Sequence, residues 1–183
     1  MSESNIPSLP LLSGTNYFLI GFMGSGKTHW GKLWAAANQL SFVDLDEMIE
    51  RKENKTIAAI FDTNGEAHFR NLETVALREC GNLQNTLIAC GGGTPCFFEN
   101  MQWMNENGIT VYIRSKPIEI LERVLEEKEK RPLLKKLNQA ELLFYIEQKL
   151  KERAPFYSQA KITVQSEGLN ENSFPGIISS INS

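Results

Sequence analysis

Residues 21–28 read Gly-Phe-Met-Gly-Ser-Gly-Lys-Thr and match the phosphate-binding pattern G-x-x-x-x-G-K-[ST]. The short apolar run Tyr17–Ile20 comes directly before this stretch, and apolar residues recur at helical spacing from Lys27 to Leu40. A strand, a glycine-rich turn and a helix therefore follow one another. In that context the backbone N–H groups of the turn can point at phosphate oxygens where the helix begins. The stretch predicts a nucleotide-binding loop.

Individual residues of this loop have expected tasks. Gly24, Ser25 and Gly26 would surround the phosphates of ATP with N–H groups, and the Lys27 ammonium would neutralise the β- and γ-phosphates. The Thr28 hydroxyl would ligate Mg²⁺. Kinases, GTPases, motors and sensors all contain such a loop, so it predicts nucleotide binding without selecting among these activities.

Strands and helices alternate along the rest of the chain. Further strands are predicted at 41–43, 86–90, 109–113 and 161–164, and further helices at 47–51, 56–80, 97–105, 117–126, 139–153 and 174–181. This alternation is typical of an α/β fold with a parallel sheet covered on both faces. We expect one domain at 16–183 after a loose leader at 1–15. The densely charged residues 126–131 predict a solvated, mobile segment. The stretch at about 125–137 is a candidate lid over the substrates, and its alternative is an ordinary exposed loop.

The bulk composition limits the classes of partner and compartment. A hydrophobic content of 42% in 183 residues suffices for a core, and 19 Lys+Arg against 22 Asp+Glu argue against a broad nucleic-acid or membrane surface. The 3 cysteines lack metal-ligand spacing and suit free thiols in a reducing cytosol. No apolar run approaches the roughly 20 residues that span a bilayer, and no signal peptide is evident. We expect a cytoplasmic monomer.

Acidic residues follow the second predicted strand. Asp44 and Asp46 lie two apart, so they share a face if the strand continues, and ligands of parallel sheets gather at the carboxyl ends of strands. One carboxylate could hold Mg²⁺ through water while the other meets a substrate hydroxyl. Asp46 could equally cap the following helix.

Two other short patterns also allow an ordinary structural explanation. Arg70 and Glu73 lie three apart on a predicted helix, which fits either a binding site or a surface ion pair. Gly91–Gly93 follow an apolar strand, which fits either a close approach of the backbone to a ligand or a plain flexible turn.

Taken together, the motifs give the chain a family resemblance from about Tyr17 to Ile181. It resembles shikimate kinase, because these patterns occur in the family's order and at suitable spacing. They are the loop 21–28, the Asp-x-Asp pair 44–46, the Phe-Arg-x-x-Glu segment 69–73, the glycines 91–93, the Arg-Pro-Leu-Leu segment 131–134 and the Arg-x-Pro-x-Tyr segment 153–157. The resemblance implies a three-layer P-loop kinase fold with a central five-stranded parallel sheet in the order 2-3-1-4-5. It also implies the ATP-dependent phosphorylation of shikimate at its 3-hydroxyl.

The resemblance also implies how the acceptor is held. Arg70 and Arg153 would grip the shikimate carboxylate, Glu73 would hold Arg70 in place, and Gly91, Gly92 and Gly93 would line the same pocket. Asp46 would contact the hydroxyl that is phosphorylated, either as an aligner or as its base. Planar guanidinium groups suit a carboxylate because they form paired hydrogen bonds. Arg153 has an alternative explanation as a cation near a helix C-terminus.

The same resemblance assigns the residues around the nucleotide. Asp44 would position Mg²⁺ through water, and Arg131, from the lid, would reach the transferring phosphate. Arg123 matches the family's arginine beside the adenine if the lid has one extra residue.

Two other functions remain open from the sequence. The first is another small-molecule kinase, such as a gluconate-type enzyme with a similar loop, and the second is a non-catalytic nucleotide-binding module. A GTPase or motor is disfavoured, because no Asn-Lys-x-Asp guanine motif occurs and the strand 109–113 is followed by Arg114 rather than an acidic metal ligand.

Overall fold

A computed structural model describes residues 13–126 and 137–182 of the chain. Residues 1–12 of the predicted leader lie outside this part. So do residues 127–136 of the predicted lid, with Arg131 among them. Every other predicted site residue falls within the described ranges.

A five-stranded parallel sheet forms the centre of the fold. Its strands are β1 (Tyr17–Ile20), β2 (Ser41–Asp44), β3 (Thr86–Ala89), β4 (Ile109–Arg114) and β5 (Ile162–Gln165). They lie in the order β2-β3-β1-β4-β5, and all four neighbouring pairs are parallel. This order confirms the predicted topology and places β1 at the point where the winding reverses.

Helices cover both faces of the sheet. They are α1 (Lys27–Ala37), α2 (Leu45–Glu53), α3 (Ile57–Glu79), α4 (Asn100–Asn107), α5 (Pro117–Glu126), α6 (Gln139–Tyr157) and α7 (Ser173–Ser179). Alternate residues of the wholly buried β1 face opposite cores: Tyr17 and Leu19 pack with Trp34 of α1, whereas Phe18 and Ile20 pack with Ile49 of α2. Within the described residues, no helix has the length and apolar character needed to cross a membrane.

Three helices differ from the sequence-based expectation. The predicted helix 56–80 is interrupted at Gly65, whose φ of 80° and ψ of 172° are not helical. Helix α4 begins at Asn100, because a 3₁₀ turn (Thr94–Cys96) and two residues with positive φ come first. Helix α6 continues past Pro155, where proline would be expected to end it, and reaches the buried Tyr157. The Tyr157 hydroxyl donates to the Gly92 carbonyl oxygen at 2.6 Å, so a tertiary contact favours the extra turn.

Gly31 determines how closely helix α1 approaches the sheet, and with it the phosphate loop (residues 21–28). A Cβ on Gly31 would overlap the Phe42 ring and lie 3.3 Å from Leu19 Cδ1. We predict that Gly31→Ala lowers the free energy of unfolding by about 1–3 kcal/mol, because the core is overpacked. Gly176→Ala in α7 is the matched control, since nothing lies within 4 Å of its added Cβ. Urea unfolding of both variants tests this, and equal stabilities would contradict it.

Candidate functional site

The candidate site lies at the carboxyl edge of the sheet. Strand register pairs Asp44 of β2 with Ala89 of β3, and Ala89 with Leu19 of β1. The three strands therefore end nearly level, and the residues that follow them meet at one edge. These are the phosphate loop after β1, Asp46 after β2 and the glycine turn (Gly91–Gly93) after β3. Ligands of parallel sheets bind at this edge.

The phosphate loop has the backbone conformation that its glycines predict. Gly24 and Gly26 have φ values of 74° and 93°, which side chains other than glycine's rarely allow. Gly26 directly precedes α1, and the Ser25 N–H bonds the Phe22 carbonyl oxygen at 3.1 Å. The tight turn thus leads into the N-terminus of α1, where unpaired N–H groups favour anions.

Lys27 lies folded over this loop. Its ammonium donates hydrogen bonds of 2.9 Å to the carbonyl oxygens of Gly21 and Phe22. The side chain is almost fully buried, so the loop fixes a positive charge at the edge of the cleft. An anion at the loop would meet this charge at a largely buried side chain, where attraction is stronger than in bulk water.

Asp44 links the phosphate loop to the second strand. Its Oδ2 accepts a 2.6 Å hydrogen bond from the Thr28 hydroxyl, and its Oδ1 caps α2 by accepting from the N–H groups of Asp46 and Glu47. The cap of α2 is therefore Asp44, and Asp46 does not serve that purpose. A hydroxyl and a carboxylate side by side are hard oxygen donors of the kind that Mg²⁺ accepts beside waters and phosphates. The residues present fit the predicted metal.

Asp46 has an unusual acidity. Burial, reinforced by the carboxylates of Asp44 and Glu73, raises the pKa of Asp46 from 3.8 to about 7, against the lowering effect of Lys27. Its Oδ1 is buried and has no hydrogen-bond partner among the described residues. A carboxyl that is poised between its two forms near neutral pH can hold or accept a proton from a hydroxyl group.

Arg70 and Glu73 form a buried ion pair, which excludes the surface ion pair that the sequence allowed. Arg70 Nη1 donates to Glu73 Oε2 at 2.5 Å, and Glu73 is only 1% exposed. Its other oxygen, Oε1, accepts from the Thr94 hydroxyl at 2.6 Å. Burial opposes the charge of Arg70, but the carboxylates of Glu73 and Glu66 outweigh it and raise the pKa of Arg70 above its usual value.

The glycine turn after β3 packs directly against these charged groups. A Cβ on Gly91 would overlap Glu73 Oε1, and one on Gly93 would lie 2.6–2.8 Å from three atoms of the Arg70 guanidinium. Gly92 approaches the other predicted arginine, since its Cβ would lie 3.2 Å from Arg153 Nη1. Because these glycines have no side chains, the backbone of the turn lies close to both guanidinium groups.

Arg153 points toward the phosphate loop. Its guanidinium carbon lies 5.1 Å from the centre of the Phe22 ring, which is a cation–π distance. Helix α6 continues to Tyr157, four residues beyond Arg153. The contacts of Arg153 therefore link α6 to Phe22 of the loop and to the Gly92 backbone.

A cleft of about 500 Å³ joins most of the predicted residues. It is lined by Met23, Gly24, Gly26, Lys27, Thr28, His29, Lys32, Asp44, Asp46, Cys90, Gly91, Gly92, Arg123 and Glu126. Arg123 also donates to the Gly24 carbonyl oxygen at 3.0 Å. Arg70, Gly93 and Arg153 are not in this lining and adjoin it through the glycine turn.

Sequence reasoning missed several partners of these residues. Thr94 bonds Glu73, the Phe97 ring lies 4.6 Å from the Arg70 guanidinium carbon, and Glu66 bonds Arg70. Only Glu66 had a sequence signal, because it lies four residues before Arg70 on a helix. The others come from the turn after β3, whose conformation the sequence did not predict.

Comparisons with known proteins identify the family of this chain. A model of the shikimate kinase family matches residues 23–182. The chain is 41% identical over 157 residues to a shikimate kinase of Phocaeicola vulgatus, covering 86% of this chain and 90% of that relative. It is 42% identical to a shikimate kinase of Bacteroides fragilis, covering 85% of this chain and 87% of the relative.

Solved structures give the same family. A shikimate kinase from Bacteroides thetaiotaomicron has a TM-score of 0.82 at 39% identity, covering 92% of this chain and 94% of that one. A shikimate kinase from Acinetobacter baumannii, solved in complex with shikimate, has a TM-score of 0.80 at 33% identity, covering 92% of each chain. Because the family match spans nearly the whole chain and includes the cleft, the chain belongs to the shikimate kinase family.

Proposed function

We propose that this chain transfers the γ-phosphate of ATP to the 3-hydroxyl of shikimate, giving ADP and shikimate 3-phosphate. One observation carries the proposal. The half-buried carboxyl of Asp46 lies directly beside the phosphate loop and the glycine turn, against which Arg70 and Arg153 pack. An acceptor with a carboxylate at one end and hydroxyls at the other matches that arrangement. A relative with a similar structure was solved with shikimate bound.

The nucleotide side of the cleft holds and neutralises phosphate. The N–H groups of Gly24 and Gly26 would contact the phosphates, and that of Ser25 would join them on leaving the Phe22 carbonyl oxygen. The Lys27 ammonium would move from its loop carbonyls to the β- and γ-phosphates. Arg123, on α5 beside Gly24, would lie along the nucleotide.

Mg²⁺ fits the oxygen pair formed by Thr28 and Asp44. Thr28 would bind it directly and Asp44 through water, because the two side-chain oxygens already lie 2.6 Å apart at the end of the loop. When held by these two residues, the ion would supply positive charge that offsets the negative charge of the phosphates during transfer.

The acceptor side of the cleft aligns the hydroxyl. Arg70 and Arg153 would bind the shikimate carboxylate, and Gly91–Gly93 would let the ring approach the backbone closely. Asp46 would then accept a hydrogen bond from the 3-hydroxyl. That oxygen attacks the γ-phosphorus, the bond to the ADP oxygen breaks, and the hydroxyl proton passes to Asp46. Arg131, outside the described residues, would complete the positive charge around the phosphate.

We also propose that the protein acts in the cytoplasm as a monomer, without a nucleic-acid or membrane partner. Cys80, Cys90 and Cys96 are free thiols, and two of them are buried, as suits a reducing compartment.

A coupled assay of ADP release tests the proposed activity. With Mg²⁺ and ATP, we expect turnover that depends on shikimate, and mass spectrometry should identify the monophosphate. Gluconate serves as the competing acceptor. Turnover with gluconate and none with shikimate, or no turnover with either, would overturn the proposal.

The carboxylate clamp predicts a selective loss of acceptor affinity. Arg70→Ala or Arg153→Ala should raise the KM for shikimate about 30-fold or more, corresponding to ~2 kcal/mol, because each removes a charged partner of the carboxylate. The KM for ATP should change little. Arg78→Ala is the control, since Arg78 also lies on α3 but packs on Trp103. Equal effects of all three variants on shikimate would refute the assignment.

Asp46→Asn should slow catalysis without destabilising the fold. We expect kcat to fall about 10²-fold or more, because the 3-hydroxyl loses its proton acceptor and aligner. The measurement is steady-state kinetics with both substrates varied, and the exposed Asp62→Asn on α3 is the control.

The same variant should be more stable than the parent at pH 8. Folding raises the pKa of Asp46 from 3.8 to about 7, so the folded protein loses stability as the pH rises through this window, and asparagine has no such penalty. In urea unfolding without metal or ligands, Asp46→Asn should have the higher free energy of unfolding at pH 8, and its difference from the parent should shrink toward pH 4. An advantage that is equal at both pH values would show that the charge is not its cause.

A further inference from the structure

Two carboxylates bind Arg70, and they differ in burial and in their other hydrogen-bond partners. Glu73 is buried, and each of its oxygens has a partner. The Glu66 side chain is 60% exposed, and its contacts with Arg70 are its only described interactions. Glu73 therefore stays paired in the interior, whereas Glu66 can exchange its hydrogen bonds with Arg70 for hydrogen bonds with water.

Glu66 occupies the edge of Arg70 that is best suited to a ligand. Its Oε1 accepts from Arg70 Nε at 3.1 Å and from Nη2 at 2.9 Å. The adjacent Nε–H and Nη2–H donors form the side of a guanidinium that carboxylates bind with paired hydrogen bonds. Glu73 takes Nη1, while the Phe97 ring and the Gly93 backbone pack against the guanidinium. Glu66, whose side chain is exposed, thus takes the donor edge of Arg70 that the buried Glu73 leaves open.

Charge supports the same conclusion. Arg70 is paired with two carboxylates, so Arg70, Glu66 and Glu73 together carry one net negative charge. Without the charge of Glu66, the remaining pair of Arg70 and Glu73 would be neutral. An anionic acceptor would then be attracted more strongly.

The position of Glu66 allows it to leave Arg70 easily. It directly follows Gly65, where the backbone of α3 departs from helical geometry and nothing lies within 4 Å of an added Cβ. Its carboxylate can turn into water while Glu73 stays paired, so releasing Arg70 leaves no buried charge without a partner.

We propose that Glu66 is an internal competitor of the substrate carboxylate for Arg70, and that it lowers the affinity for shikimate. This inference rests on the proposed function, because it requires Arg70 to bind the acceptor. An exposed ion pair contributes little, so the expected effect is about two- to fivefold in affinity. The exchange also disfavours uncharged acceptors, since they cannot replace the carboxylate of Glu66.

Calorimetric titration of shikimate without nucleotide tests the inference. Glu66→Gln keeps the shape of the side chain but removes its charge, and we expect it to bind shikimate about two- to fivefold more tightly than the parent. The gain should vanish with the methyl ester of shikimate, and in the Arg70→Ala background. Glu106→Gln is the control, because Glu106 is exposed on α4 near the start of β4, at the opposite edge of the sheet.

The outcomes separate this inference from the proposed function. If the parent binds shikimate and Glu66→Gln binds it equally or more weakly, Glu66 only supports Arg70 and the inference fails alone. A gain that persists without Arg70 would likewise overturn it. If the parent binds no shikimate, both proposals fail.

Discussion

The buried carboxylate of Glu73 is the constraint on which the proposed acceptor side of the cleft depends. It pairs with Arg70 on its own helix and with Thr94 beyond β3, so it ties α3 to the glycine turn. Removing one partner of a buried ion pair leaves a charge in the interior, at a typical cost of 3–5 kcal/mol. The pair therefore holds the Arg70 guanidinium in one place. It also leaves no room for a side chain at Gly91, which lets the backbone approach a ligand.

A second link performs the same task on the nucleotide side. The hydrogen bond from Thr28 to Asp44 joins the start of α1 to the end of β2, and Asp44 also caps α2. One carboxylate therefore fixes the loop that would hold phosphate relative to the backbone that carries Asp46. The raised pKa of Asp46 is a consequence of this construction, since Asp44 and Glu73 both lie near a group that burial already disfavours as an anion. Stability at neutral pH is therefore reduced at the group that is proposed to accept the proton of the acceptor hydroxyl.

Much of the fold followed from local patterns. The G-x-x-x-x-G-K-[ST] loop has a fixed conformation, and the alternation of apolar strands with amphipathic helices predicted the parallel sheet. The break at Gly65 and the passage of α6 through Pro155 were not predicted. Periodicity continues across Gly65, while the turn beyond Pro155 depends on the hydrogen bond from Tyr157 to Gly92, a residue far away in the sequence.

The candidate site, too, could be predicted only in part from the sequence. Arg70 and Glu73 could be paired from their spacing, but only the structure distinguishes the buried Glu73 from the exposed Glu66, since both lie on the same side of the helix as Arg70. The sequence could not decide whether Asp46 lines the site or caps α2, because that depends on which aspartate faces the N–H groups of α2.

The most direct test of the central claim is a crystal structure of the protein with ADP, Mg²⁺ and shikimate. The account predicts that the phosphates of ADP lie on residues 21–28, that the shikimate carboxylate contacts Arg70 and Arg153, and that its 3-hydroxyl lies within hydrogen-bond distance of Asp46. Shikimate bound with its carboxylate away from both arginines, or outside the cleft that contains the phosphate loop, would contradict it.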